Sequence, residues 1–212
     1  MDVKKELKDI YKKLFRCFGR QYWWPAESPF EVMVGAILTQ NTNWRNVEKA
    51  IGNLKQNKAL DPFKMLAMPH KKLACMIRPA GYYNIKTKRL KEFLKFFTRI
   101  YKADFGLMRA QNTDALRKEL LAVKGIGEET ADSILLYALS KPVFVIDAYT
   151  KRLLARHNFI AGSCLYQQAQ KIFMENLNKD VKMFNEYHAL IVKLNKEFCL
   201  KNNPRCRICP LK

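Results

Sequence analysis

The stretch Leu121-Ala122-Val123-Lys124-Gly125-Ile126-Gly127-Glu128-Glu129-Thr130-Ala131 sets two glycines, one residue apart, between two segments of helical apolar period. Glycine lets a backbone come close to a neighbour, and the amides that open the second helix point outward with the positive end of its dipole. A helix-hairpin-helix of this kind grips a phosphate backbone without reading base sequence, which singles out Lys124, Gly125, Ile126, Gly127 and Thr130 as backbone contacts. An ordinary corner between two helices is the plain alternative for Gly-x-Gly taken alone.

The surrounding chain favours the grip. Thirty-nine Lys and Arg against 19 Asp and Glu leave a net charge of +20, a surplus that suits a polyanion, though a Lys-rich solvated face would also produce it. With 212 residues, 49% of them hydrophobic, the chain can bury one core or two small ones that share it, and a mainly disordered protein is excluded. The start is charged and no apolar span of membrane length follows, so a cytoplasmic protein without a membrane partner is expected.

Helical periods dominate. Ser28-Pro29-Phe30-Glu31 reads as a capping box opening a helix over 29–38, and Thr42 is placed to cap the next, where Trp44, Val47, Ile51 and Leu54 recur at helical steps. Asp61-Pro62 starts a short helix that Pro69 ends. Over 86–99, Leu90, Phe93, Leu94 and Phe97 make an apolar stripe, with Lys86, Lys88, Arg89, Lys91 and Lys95 expected on the outside. Further helices are expected over 113–123, 128–139, 148–157, 165–177 and 183–196. The fold class is therefore all-α, and Val143–Ile146 is an extended connector rather than a sheet strand.

That connector ends at Asp147, where an apolar run gives way to a helix. An N-cap is the plain role for such an aspartate, and it is compatible with chemistry, since amides and the helix dipole keep a carboxylate charged in a cleft.

Hairpin, spacer and apolar-Asp junction, in that order, resemble the helix-hairpin-helix DNA glycosylases of the endonuclease III superfamily. Leu38-Thr39-Gln40-Asn41-Thr42-Asn43-Trp44 and Gly81-Tyr82-Tyr83-Asn84-Ile85-Lys86-Thr87-Lys88 match two further family segments, so the similarity spans nearly the whole chain. The resemblance implies a six-helix barrel over 26–140 and a second helical lobe from 1–25 plus 141–212, flanking a DNA-binding groove. It also implies a monomer acting in base excision repair on double-stranded DNA with a damaged base, nucleoid-associated in a bacterium or archaeon. Asp147 takes the catalytic position, and Gln40 the position of the side chain that fills the gap left by an everted base. A monovalent cation at the hairpin is part of the same expectation.

One departure bears on the reaction. Family members that also cut the backbone carry a Lys two residues after the second hairpin glycine, and here that residue is Glu129. A carboxylate cannot form a Schiff base, so a glycosylase that uses water is expected, with Lys124 or Lys151 as the substitute amines for a lyase. Breaking an N-glycosidic bond builds oxocarbenium-like charge on the sugar, which Asp147 would stabilise while orienting water. A base alkylated on a ring nitrogen is already cationic and leaves without an acid.

Electron-rich rings attract such a base. Tyr22-Trp23-Trp24-Pro25 and Trp44 resemble the 3-methyladenine DNA glycosylase III branch, which makes Trp23, Trp24, Pro25 and Trp44 the base-pocket residues, with core packing as the alternative for each Trp. The branch has Phe where this chain has Trp44. The expected reaction is thus removal of an alkylated purine such as 3-methyladenine. A glycosylase for uracil, mismatched thymine or oxidised pyrimidines, with or without lyase activity, and a non-catalytic DNA-binding module are the alternatives.

Cys199, Cys206 and Cys209 have the spacing of the first three ligands of the superfamily's 4Fe-4S loop. The fourth would fall at position 215, past Lys212, and we expect the sequence to stop short of it. Zinc held by the three Cys and His188 is a second reading. Cys17, Cys75 and Cys164 are expected to be buried small side chains, His70 and His157 surface or helix-end residues, and His188 a core histidine.

Overall fold

The computed structural model describes residues 2–161 and 164–212, and among these it contains helices and no strand. The helices are α1 (Val3–Phe18), α2 (Pro29–Leu38), α3 (Trp44–Gln56), α4 (Pro62–Ala67), α5 (His70–Met76), α6 (Tyr83–Tyr101), α7 (Phe105–Ala110), α8 (Thr113–Ala122), α9 (Glu128–Ser133), α10 (Ala148–Arg156), α11 (Tyr166–Asn176) and α12 (Val181–Glu197). None of the described helices is long and apolar enough to cross a membrane. The chain divides into two compact units, one of residues 26–141 and one of residues 1–25 with 142–212.

In the 26–141 unit, α2 is apolar on all sides and every residue from Phe30 to Leu38 is buried, the pattern of a central helix. Ser28 caps it by accepting from the Glu31 N–H at 3.2 Å. The Glu31 carboxylate reaches back to the Glu27 N–H at 3.0 Å, one residue beyond the capping position, and also pairs with Lys55 Nζ at 2.9 Å. For α3 the cap is Asn43, whose side chain accepts from the Asn46 N–H, and not Thr42 as the sequence suggested. Beyond Ser133, α9 widens into a π-helical segment over 134–138 instead of continuing to 139 as a regular helix.

Helix α6 also departs from expectation, because two of its lysines do not face solvent. Lys86 is 1% exposed and donates through Nζ to the carbonyls of Leu38 (2.8 Å) and Ala80 (2.7 Å). Lys91 donates to the carbonyls of Met65 (2.8 Å), Leu66 (2.6 Å) and Met68, at the end of α4. The buried Lys141 does the same for Arg109 (3.1 Å) and Gln111 (2.6 Å), where α7 ends. The reason is shared: the last carbonyls of a helix lack intrahelical partners, and an ammonium supplies several donors at the negative end of the dipole. Burial, with Arg89 nearby, lowers the Lys86 pKa to about 8, which leaves it mostly charged at neutral pH. Lys86→Met keeps the stem and strands two buried carbonyls. We expect it to cost about 2–3 kcal/mol in denaturant unfolding, and an unchanged midpoint would refute this role.

In the other unit, α12 packs between α1 and α10. Tyr187 is fully buried and its hydroxyl donates to the Leu7 carbonyl at 2.8 Å, while Arg152 of α10 donates to Asn195 Oδ1 at 3.2 Å. The connector 143–146 is extended, as its sequence suggested, and it finds its partners on side chains of α11 instead of in a sheet. Phe144 N–H meets Met174 Sδ at 3.4 Å, Gln170 Nε2 donates to the Phe144 carbonyl at 2.7 Å, and Ile146 N–H donates to the Tyr166 hydroxyl at 3.2 Å. The Phe144 ring stacks on Phe173 with centroids 3.8 Å apart. These contacts fix where the connector ends, and so where Asp147 stands.

Candidate active site

Asp147 is the N-cap of α10, with Oδ1 accepting from the Thr150 N–H at 2.7 Å. Its other oxygen, Oδ2, lies 3.5 Å from Nε2 of the buried His188, on α12. Burial pushes the carboxyl up, but the charge and hydrogen bond of His188 and the bonds from Thr150 outweigh it and hold the pKa below the ordinary 3.8. The side chain keeps 15% of its surface exposed, so the carboxylate is ionised and still reachable. His188 belongs to the packed core, its ring 6.5 Å from Phe144 and edge-on to it, but it also orients this carboxylate. That second part was not read from the sequence, since nothing local to Tyr187-His188-Ala189 points to a residue on another helix.

The hairpin lies in the 26–141 unit, between α8 and α9. Gly125 has φ +94°, and a Cβ there would come within 2.4 Å of Arg89 Cγ, so its glycine is required by backbone conformation and by the arginine stem pressed on it. Gly127 meets nothing within 4 Å on its Cβ side and opens α9, with Lys124 exposed, Ile126 buried and Thr130 buried beside them. Gln40 is turned onto the hairpin, with Nε2 donating to the Gly125 carbonyl at 3.0 Å and to Thr130 Oγ1 at 2.9 Å. Glu129 is exposed in the first turn of α9. Of the two substitute amines, Lys124 is exposed and Lys151 donates to the Cys164 carbonyl at 3.0 Å.

A bidentate pair ties the two hairpin helices together. Arg117 of α8 donates from Nε to Asp132 Oδ1 at 2.6 Å and from Nη2 to Oδ2 at 3.1 Å, and Asp132 is fully buried. An Arg and an Asp facing each other across a predicted hairpin are a readable signal, which the sequence reading passed over.

Trp23 and Trp24 are half-buried, joined by a cis peptide bond, with ring centroids 5.0 Å apart at 51°; Pro25 follows them and is exposed. Trp44 is half-buried at the start of α3, in the other unit.

The cysteines depart most from expectation. Cys17 and Cys75 are exposed, not buried, because they fall on the outer faces of α1 and α5, and Cys164 is partly exposed. Cys199 is buried and its Sγ accepts from Arg156 Nη1 at 3.1 Å, whereas Cys206 is exposed. Among the described residues no three His, Cys, Asp or Glu side chains come together to hold a metal ion. The three cysteines are not gathered into such a group here, and His188 faces Asp147 instead of joining them in a zinc site. Burial raises the Cys209 thiol pKa, with the backbone at Leu211 opposing it and Cys199, Cys206 and Cys17 adding to it. His70 opens α5 and His157 closes α10, both at helix ends.

Comparison with known proteins gives the family and the fold. A protein of Methanocaldococcus jannaschii named as a DNA repair glycosylase is 50% identical over 96% of this chain and 92% of its own length. Endonuclease III of Thermotoga maritima is 24% identical over 97% of this chain and 90% of its own. Among solved structures, the Helicobacter pylori 3-methyladenine DNA glycosylase bound to 1,N6-ethenoadenine superposes with a TM-score of 0.79 and 28% identity, covering 93% of this chain and 98% of that one. A non-covalent endonuclease III–DNA complex gives 0.84 at 21% identity, covering 100% and 94%, a likeness of fold. With residues 34–179 matching the family as well, the chain belongs to the HhH-GPD superfamily of base excision DNA repair proteins.

Proposed function

We propose that this protein is a monofunctional DNA glycosylase, which hydrolyses the N-glycosidic bond of an everted alkylated purine such as 3-methyladenine in double-stranded DNA. The observation that carries this reading is the ionised, partly exposed carboxylate of Asp147 at the head of α10, in a chain with Glu129 where a lyase would need an amine. The C1′–N bond breaks with its electron pair going to the cationic base, which leaves neutral. Positive charge on the sugar is met by Asp147, water bonds to C1′, and its proton passes to the carboxylate or to solvent. Trp23, Trp24 and Pro25 in one unit and Trp44 in the other are the proposed base-pocket residues; an electron-rich indole face attracts a cationic base by up to about 2 kcal/mol when dry. Lys124, the Gly125-Ile126-Gly127 turn and Thr130 would hold the DNA backbone, and Gln40 would fill the gap. The likeness to the H. pylori enzyme, above the level of fold alone, supports the alkylated purine over a pyrimidine.

Duplexes each bearing one lesion should release free 3-methyladenine and leave an intact abasic strand, with no covalent adduct after borohydride. Release confined to uracil, thymine or oxidised pyrimidines, or a trapped adduct, would overturn the substrate and the mechanism respectively.

A further inference from the structure

Three segments meet at the amide of Gln40. Its Nε2 donates to the Gly125 carbonyl at 3.0 Å and to Thr130 Oγ1 at 2.9 Å, and its Oε1 accepts from Arg89 Nη1. A primary amide has two N–H groups, so both donors and the oxygen are engaged within the protein. Arg89 comes from α6 and its stem lies on Gly125, where an added Cβ would stand 2.4 Å from Cγ and 3.0 Å from Cδ. One arginine therefore lays its stem on the hairpin turn and, through its guanidinium, holds the side chain to which the proposed function gives the gap left by the flipped base.

We propose that Arg89 is a positioning residue that latches Gln40 onto the hairpin, so that gap filling requires the latch to open. This rests on the role given to Gln40 above. An amide with both donors and one of its oxygen's two acceptor sites committed internally has no donor to offer an orphaned base until those bonds break. The latch thus sets a threshold: a base whose stacking or pairing is already weakened everts more readily than a sound one. Arg89 acts through Gln40 and touches no reacting atom. The guanidinium bond is charge-assisted and the strongest of the three by type.

Arg89→Met retains the apolar stem over Gly125 and deletes the charged donor. Two readouts test the latch. In the DNA-free protein, the Gln40 side-chain amide protons should exchange with water faster in Arg89→Met, on the order of tenfold. With a duplex carrying 2-aminopurine paired with thymine, Arg89→Met should speed the fluorescence rise of base eversion by a similar factor, and the gain should vanish in a Gln40→Ala background. Arg89→Lys should fall between, which separates loss of the donor from misfolding. Unchanged amide exchange, slower eversion, or a gain that persists without Gln40 would overturn the latch. Amide exchange needs no DNA, so the latch can stand or fall separately: a chain that shows the exchange effect but neither binds duplex nor releases bases refutes the proposed function alone.

Discussion

Asp147→Asn is expected to lower the single-turnover rate of base release by at least about a hundredfold while leaving duplex affinity within about twofold. The amide is nearly isosteric, and its Oδ1 can still accept from Thr150, so the α10 cap survives; what goes is the negative charge facing the developing sugar cation. His188 sharpens the test. Because the Asp147 pKa is held below 3.8, the stabilisation from its charge is complete above the ordinary carboxylate range and is lost only as pH falls through the lower folded value. Release by the unaltered enzyme should therefore be independent of carboxylate titration from neutrality down to that range. His188→Leu removes the imidazole 3.5 Å from Oδ2 that opposes burial in holding the Asp147 carboxyl down, so the acid limb of the rate profile should move upward by about one unit or more. Base release that survives in Asp147→Asn removes this residue from the chemistry, and an unmoved acid limb in His188→Leu removes the pairing.

The second large effect concerns the hairpin's support. Arg117→Met takes the bidentate donor from the fully buried Asp132 carboxylate, and we expect a loss of about 3–5 kcal/mol, the cost of breaking a buried pair by removing one member. For a chain of this size that is a fall in Tm of roughly 6–20 °C, measurable by circular dichroism. Replacing both partners, as Arg117→Met with Asp132→Leu, should recover most of the loss, since the pair's net contribution is small beside the cost of breaking it. A double variant no better than the single one would show that the pair itself stabilises the hairpin.

Much of this could be read from residue order because it is local. Gly-x-Gly between two helical periods, Ser28 before Pro29, and an apolar run ending at Asp147 each state their structure within a few positions, and helix type follows from period. What escaped was non-local. Lys86 looks like any other lysine on a basic helix, and only the convergence of the Leu38 and Ala80 carbonyls gives it a reason to turn inward. The Asp147–His188 and Arg117–Asp132 pairs join residues on different helices, and Gln40 reaches Arg89 and Gly125 through tertiary packing. The cysteine spacing was legible as a pattern, but the bond from Arg156 to Cys199, 43 residues apart, was not.

The inward-turned ammonium groups of Lys86, Lys91 and Lys141 also change how the net charge should be understood. Each completes a helix end from within, so none can displace a counterion from a polyphosphate strand. Titrating affinity against ionic strength would count only the cations left outside, fewer than composition alone suggests.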